Sequence, residues 1–319
     1  MPKVFVTGIT GLLGQNVVRD LLKHHYEVVG LLRSNPNKYE IKNENLQLVA
    51  ASLFDDFSST LMGVDYVIHI AANTSQNGLK SKEYDDVNCN ASLQLAHAAY
   101  LAKVKKFIYV STANTLGFGD LDNLGHEENP MRFPFTKSYY AQSKLKAEKE
   151  LIKLKNKLNI TIINPTFMLG AHDSKPSSGK LIYMVLNKKV AFYPPGGKNV
   201  VHVKDVSQAI LKSLTNANSG NQFLIANENL SYLEIFKKIK KISNQKTKLI
   251  PLPKTVLITL GYIGNLLRYF GIKTSLSSAN MNILCINNFF SNKKSVQELN
   301  LEYRSANSAI KEAIEYFKS

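Results

Sequence analysis

Short apolar runs alternate with segments of helical period through the first half of the chain. Val4 to Val6 reads as a strand, and Gly14 to Lys23, with apolar residues three and four apart, as the helix behind it. Glu27 to Leu32, Leu46 to Ala50, Tyr66 to Ile70, Lys106 to Ser111 and Ile160 to Asn164 continue the series of strands. Helical patterns fill Ala91 to Leu101 and Tyr139 to Leu154. Strands separated by helices predict a parallel sheet with crossover helices. After Gly170 the pattern loosens under Pro176, Gly179, Pro194, Pro195, Gly196 and Gly197, and helices dominate to the end. Val200 to Val203 and Gln222 to Ile225 read as strands returning to the main sheet. The predicted class is α/β, with a doubly wound parallel sheet over 1–170 that 200–230 rejoins. A smaller, mostly helical C-terminal lobe over 171–319 is interleaved with it.

Bulk properties narrow the class only at the margins. With 319 residues, 44% hydrophobic and 20% charged, the chain has the composition of a soluble globular protein. Two cysteines, Cys89 and Cys285, make no disulfide framework and have no metal-ligand spacing, so a reducing cytoplasm and no metal are expected. The start, Met1-Pro2-Lys3, runs straight into a strand pattern and carries no signal-peptide features. The unusual quantity is a net charge of +16. Its lysines are scattered or lie in amphipathic helices such as Phe236 to Ile242, and no basic run is interleaved with aromatics. The expected reading is a solvated Lys-rich surface that attracts anionic ligands, with no nucleic-acid partner.

Candidate chemistry begins after the first strand. Thr7-Gly8-Ile9-Thr10-Gly11-Leu12-Leu13-Gly14 puts three glycines between a strand and a helix start. Gly8 permits a tight turn, Gly11 lets backbone approach a pyrophosphate, and Gly14 lets helix and strand pack closely. The free N–H groups from Thr10 to Gly14 and the helix dipole favour phosphate there. This is the dinucleotide-binding turn of a Rossmann domain. At the end of the second strand, Leu31-Leu32-Arg33 has no acid for a ribose diol, and the Arg33 guanidinium suits a 2′-phosphate, with Lys38 adding charge. NADP is therefore favoured over NAD.

Tyr140 and Lys144 stand four apart in a helix-forming stretch and share a face. An ammonium beside a phenol, helped by a positive nicotinamide, would bring the phenol from its ordinary value near 10 toward working pH. Lys144 would also hold the nicotinamide ribose. At the end of the fifth strand, the hydroxyl of Thr112, or alternatively of Ser111, would hydrogen-bond the reacting oxygen.

Together these residues resemble the extended short-chain dehydrogenase/reductase family along nearly the whole chain. Further matches are His69-Ile70-Ala71-Ala72, Val87-Asn88, Asn164-Pro165-Thr166, Val201 to Val206, Phe290 to Lys294 and Glu298-Leu299. The resemblance implies Thr112 as the substrate-orienting hydroxyl, Tyr140 as acid/base and Lys144 as its activator, with Ala71, Ala72 and Pro165 lining the cofactor. Ala51-Ser52-Leu53 departs from the family's Gly-Asp-Leu and removes an adenine contact. Thr112-Ala113-Asn114 lacks the carboxyls of the dehydratases, and Phe167 stands where nucleotide-sugar epimerases place an Asn. Lys198 remains a candidate phosphate contact. The nearest branch is the dihydroflavonol-reductase-like one, so hydride transfer between NADPH and a carbonyl of a small organic substrate is expected. An epimerase retaining NAD and a non-catalytic dinucleotide sensor are the alternatives. His172, Asp173, Tyr193 and Tyr262 are candidates for the substrate pocket. A homodimer through the helices bearing Asn88 to Leu101 and Tyr140 to Leu154 is implied. The apolar segment Val256 to Ile272 is expected to be a lid or core helix, with membrane-surface contact as its alternative.

Overall fold

The computed structural model describes residues 1–33, 39–174 and 176–318, so Lys38 lies outside the described residues. Seven parallel strands form the main sheet: β1 (Lys3–Thr7), β2 (Glu27–Leu32), β3 (Leu46–Ala50), β4 (Tyr66–His69), β5 (Lys106–Val110), β6 (Ile160–Pro165) and β10 (Gln222–Ile225). Their order is β10-β6-β5-β4-β1-β2-β3. β5 and β6 are buried at every position, which is why their apolar runs are continuous rather than alternating. Helices α1 (Leu12–Lys23) and α6 (Val203–Asn216) pack together on one face. On the other lie α2 (Lys82–Asp85), a π-turn (Asp86–Asn90), α3 (Ala91–Leu101) and α4 (Tyr139–Ile152). Each face has its own apolar core, one containing Val17, Val18 and Ile210, the other Leu95, Ala99 and Leu151. The architecture is Rossmann-like.

The later half supplies a lobe built on β7 (Phe167–Leu169), α5 (Lys180–Tyr183), β8 (Val190–Tyr193), β9 (Gly197–His202), β11 (Glu228–Ser231) and α7 (Tyr232–Ile242). It continues through β12 (Lys248–Pro251), α8 (Lys254–Tyr269), α9 (Ser278–Ile283), β13 (Asn287–Asn288), α10 (Lys293–Leu299) and α11 (Ala306–Lys318). A third core, including Ile235, Phe236 and Ile310, holds α7 and α11 over β9. One expectation is corrected here. The strand predicted at Val200 to Val203 does not rejoin the main sheet: β9 pairs with β7, β11 and β13 in a small separate sheet, and Val203 opens α6. The place beside β6 is taken by β10. Alternation identifies a strand but carries no information about its partner.

β1 and β4 are neighbours although the chain runs on from β1 to β2, so their carboxyl ends flank the point where the strand order reverses. Ligands in open α/β sheets bind at such a crevice. A buried chain of polar groups ties the two strand ends together. The Thr7 hydroxyl oxygen accepts from the N–H groups of Ile70 and Ala71, both at 3.2 Å, and lies 2.7 Å from Nδ1 of His69. His69 Nε2 meets the Ser92 hydroxyl at 2.8 Å, which donates to the Asn88 carbonyl at 2.9 Å. Burial pushes the His69 imidazole down to about 3, so it is neutral and serves as one donor and one acceptor. Thr7→Val removes the hydroxyl shared by three partners, of which His69 is fully buried and Ile70 and Ala71 half-buried. The expected loss of unfolding free energy is about 1–3 kcal/mol, seen as a lower denaturant midpoint at constant slope; an unmoved midpoint would show that the chain carries no structural load.

Candidate active site

The sequence around Gly8 bends because only glycine tolerates what the turn requires. Gly8 has φ +75°, and a Cβ on it would stand 2.7 Å from the Ala71 nitrogen. A Cβ on Gly14 would stand 2.1 Å from the Gly8 carbonyl oxygen, so helix α1 lies against the turn with no room for a side chain. Gly11 differs, since its Cβ would meet only the Gly8 oxygen at 3.6 Å. It caps α1 without a side-chain hydrogen bond. The backbone there faces a cavity of about 660 Å³ running along the carboxyl ends of the strands.

Apart from Lys38, outside the described residues, those that the sequence assigns to the cofactor line this one cavity: Gly8 and Thr10 to Gly14 at the turn, Arg33 at the end of β2, Ala71 and Ala72 after β4, Tyr140 and Lys144 on α4, and Pro165 at the end of β6. Leu53, in the segment that departs from the family pattern, lines it as well. Arg33 is exposed, and the sequence has no carboxylate at the end of β2. An uncapped helix start, a glycine that leaves its Cβ space open, and a cation beyond β2 fit a dinucleotide phosphate chain.

A second cavity of about 570 Å³ adjoins the first, and Ser75 and Tyr140 line both. Tyr262, Asn265 and Arg268 of α8 contribute to its wall, with no Asp or Glu among the described lining residues. Of the four residues expected to form the substrate pocket, Tyr262 lines this second cavity and Asp173 the first. His172 and Tyr193 line neither; His172 packs its ring against Tyr316 at 5.3 Å and Tyr193 joins the core of the lobe. Phe167 and Lys198 also line neither cavity, and Phe167 packs on the same core.

The chemistry at the junction differs from the sequence expectation in one respect. Burial pushes the Tyr140 phenol up to about 12, with hydrogen bonding to Thr112 opposing and the Glu148 charge reinforcing. Lys144 supplies none of the lowering expected of it. Lys144 is itself buried, which brings its ammonium down to about 7, partly offset by Glu148. Its Nζ donates to the Val110 carbonyl at 2.6 Å and sits 4.2 Å above the Tyr109 ring. Desolvation is the largest influence on both groups. Thr112 is buried beside Tyr140 and accepts from the Asn114 N–H at 3.3 Å, whereas Ser111 lines the cofactor cavity and Thr112 does not.

Two residues at this junction went unassigned by sequence reasoning. Glu148 continues the Tyr140–Lys144 stripe by one more turn of α4 and is buried. It accepts from the Thr115 hydroxyl at 2.8 Å and the Asn164 amide at 2.7 Å, and that amide also donates to the Thr112 carbonyl at 3.0 Å. Glu148 thereby holds the turn that carries Thr112. Its spacing from Lys144 was the available signal. Asn88, on the π-turn, accepts from the Asn73 N–H at 2.7 Å and donates to Ser143 at 2.9 Å, joining the loop after β4 to α4.

The sequence profile of the NAD dependent epimerase/dehydratase family matches residues 4–226. The chain is 25% identical to a putative dihydroflavonol 4-reductase of Synechocystis sp., across 99% of its own length and 94% of the other's. It is 26% identical, across 86% and 87% of the two chains, to a sterol-4-alpha-carboxylate 3-dehydrogenase (decarboxylating) of Dictyostelium discoideum. Among solved structures, gox2253 superposes with a TM-score of 0.85 at 27% identity, covering 100% of this chain and 98% of that one.

The glycines separate folding from ligand binding. Gly14→Ala forces backbone apart and is expected to lower stability by about 1–3 kcal/mol, read by chemical denaturation. Gly11→Ala should leave the denaturation curve in place while weakening dinucleotide binding in a fluorescence titration. Equal effects on stability from the two variants would overturn this division.

Proposed function

The chain belongs to the NAD dependent epimerase/dehydratase family, and on that footing we propose that it is an NADP(H)-dependent oxidoreductase acting on a carbonyl or alcohol of a small, fairly apolar organic molecule. The observation that carries this reading is Tyr140, which lines both the dinucleotide cavity and the adjoining one. A substrate oxygen held in the second cavity would meet the phenol where the first cavity ends. When bound, the nicotinamide supplies or accepts the hydride.

The phenol, held near 12, carries its proton at neutral pH, the form that donates to a carbonyl oxygen as it gains charge. The Thr112 hydroxyl beside it acts on the substrate oxygen through the phenol it positions, and Glu148 with Asn164 keeps Thr112 in place. Lys144, part way between charged and neutral near pH 7, adds a donor at the cavity wall. The absence of carboxylates among the described lining residues of the second cavity suits an uncharged or anionic substrate rather than a cation. The relatives named as a dihydroflavonol reductase and a sterol dehydrogenase support a ring-bearing, largely apolar substrate class. A nucleotide-sugar epimerase is the second reading from family membership, and the positions of Phe167 and Lys198 away from both cavities weigh against it.

Arg33 decides the cofactor. NADPH is expected to bind more tightly than NADH, and Arg33→Ala to weaken NADPH by about 10- to 100-fold while leaving NADH alone, since a charged hydrogen bond contributes about 1.5–3 kcal/mol. Equal affinities, or NAD retained through purification, would favour the epimerase. Tyr140→Phe is expected to cut carbonyl reduction by about 10²- to 10⁴-fold with NADPH affinity nearly unchanged. Turnover at the wild-type rate would remove Tyr140 from the acid/base role.

A further inference from the structure

Helix α8 and the turn after it present large apolar side chains to solvent. Tyr262, Ile263, Leu266, Tyr269, Phe270 and Ile272 are 67%, 48%, 60%, 84%, 69% and 50% exposed. On the helix they recur every three or four residues and so share one side. The opposite side is clamped. A Cβ on Gly261 would stand 2.9 Å from the Ser278 Cα, and one on Gly264 would overlap the Leu276 carbonyl. With α8 seated this closely on α9 and its approach, the outward apolar face has no partner among the described residues.

The charge of the sequence that contains this helix is one-sided. From Ile235 to Gln297 the sequence contains ten lysines and one arginine and no Asp or Glu, so these residues hold +11 of the net +16. Lys254 and Lys273, both exposed, bracket α8. An apolar face with tyrosines, with an exposed lysine at each end of its helix, complements anionic phospholipid: the apolar side chains enter the acyl boundary and the ammonium groups reach the phosphates. A twofold pairing of the same face would bring two such positive regions together, which opposes a second copy as occupant.

We infer that α8 is a membrane-surface docking helix that lies in the interface of an anionic bilayer without crossing it. Among the described residues no helix is long and apolar enough to cross a membrane. The same helix supplies Tyr262, Asn265 and Arg268 to the second cavity, so docking sets that cavity against the lipid boundary. On the oxidoreductase reading, an alcohol or ketone dissolved in the bilayer then reaches Tyr140 without crossing bulk water.

The test is co-flotation of the full chain with vesicles of phosphatidylcholine alone and of phosphatidylcholine mixed with phosphatidylserine. Binding to the anionic vesicles that falls as salt rises is expected, with the Leu266→Glu/Phe270→Glu variant losing roughly tenfold or more of it. That variant should keep the wild-type melting temperature and NADPH affinity, which separates docking from folding and from the proposed reaction. No flotation with anionic vesicles, or equal flotation of the variant, would overturn the inference. A dimer by light scattering that the variant dissociates would assign the face to a second copy instead.

Discussion

The site depends on how closely the end of β1 approaches the end of β4. Gly8 touches Ala71 so tightly that no Cβ fits, and the Thr7 hydroxyl collects the N–H groups of Ile70 and Ala71 in the same place. Neither contact would be satisfied if the strands splayed by even an ångström. The neutral His69 passes this constraint on, through Ser92, to the Asn88 carbonyl. Asn88 then reaches Ser143 on α4, one residue before Lys144. A hydrogen-bonded path through the interior thus links the glycine turn to the helix that bears the proposed acid, which sets the relative position of the two halves of the cavity.

Burial governs the electrostatics along this path. The imidazole of His69 and the ammonium of Lys144 are both driven toward neutrality, and the phenol of Tyr140 is driven to hold its proton. The Glu148 carboxyl is raised by the same desolvation, opposed by hydrogen bonds from Thr115 and Asn164 and by the Lys144 charge. His69, Lys144 and Glu148 are buried, while Tyr140 is half-buried between the two cavities. Their charges therefore respond strongly to anything placed in the cavity, because interactions at low dielectric are less screened.

The lobe supplies the other wall and is built on a different principle. It is helical around its own small sheet and has its own core, while α8 is held by the close approach of Gly261 and Gly264 to the segment leading into α9. Helix α8 therefore gives Tyr262, Asn265 and Arg268 to a polar cavity wall and leaves apolar surface, Tyr262 at its margin, uncovered in a lysine-rich stretch of sequence. The two faces serve the chain as a rigid unit, because the small residues leave α8 little freedom to roll.

The nucleotide-binding half was legible in the sequence because its signals are local. Strand runs buried on both faces, a helix with 3.6-residue period and three glycines at fixed spacing each reflect a constraint within about a dozen residues. Tyr140 and Lys144 were legible for the same reason, being one helical turn apart. What tertiary structure decided is everything set by partners distant along the chain. It took β9 away from the main sheet, since pairing depends on which edge is free rather than on alternation. It put Glu148 and Asn164 together behind Thr112 and left His172 and Tyr193 outside both cavities. It set desolvation against the lowering expected of Tyr140, because a charge four residues away is visible in sequence whereas the surroundings of the two groups are not.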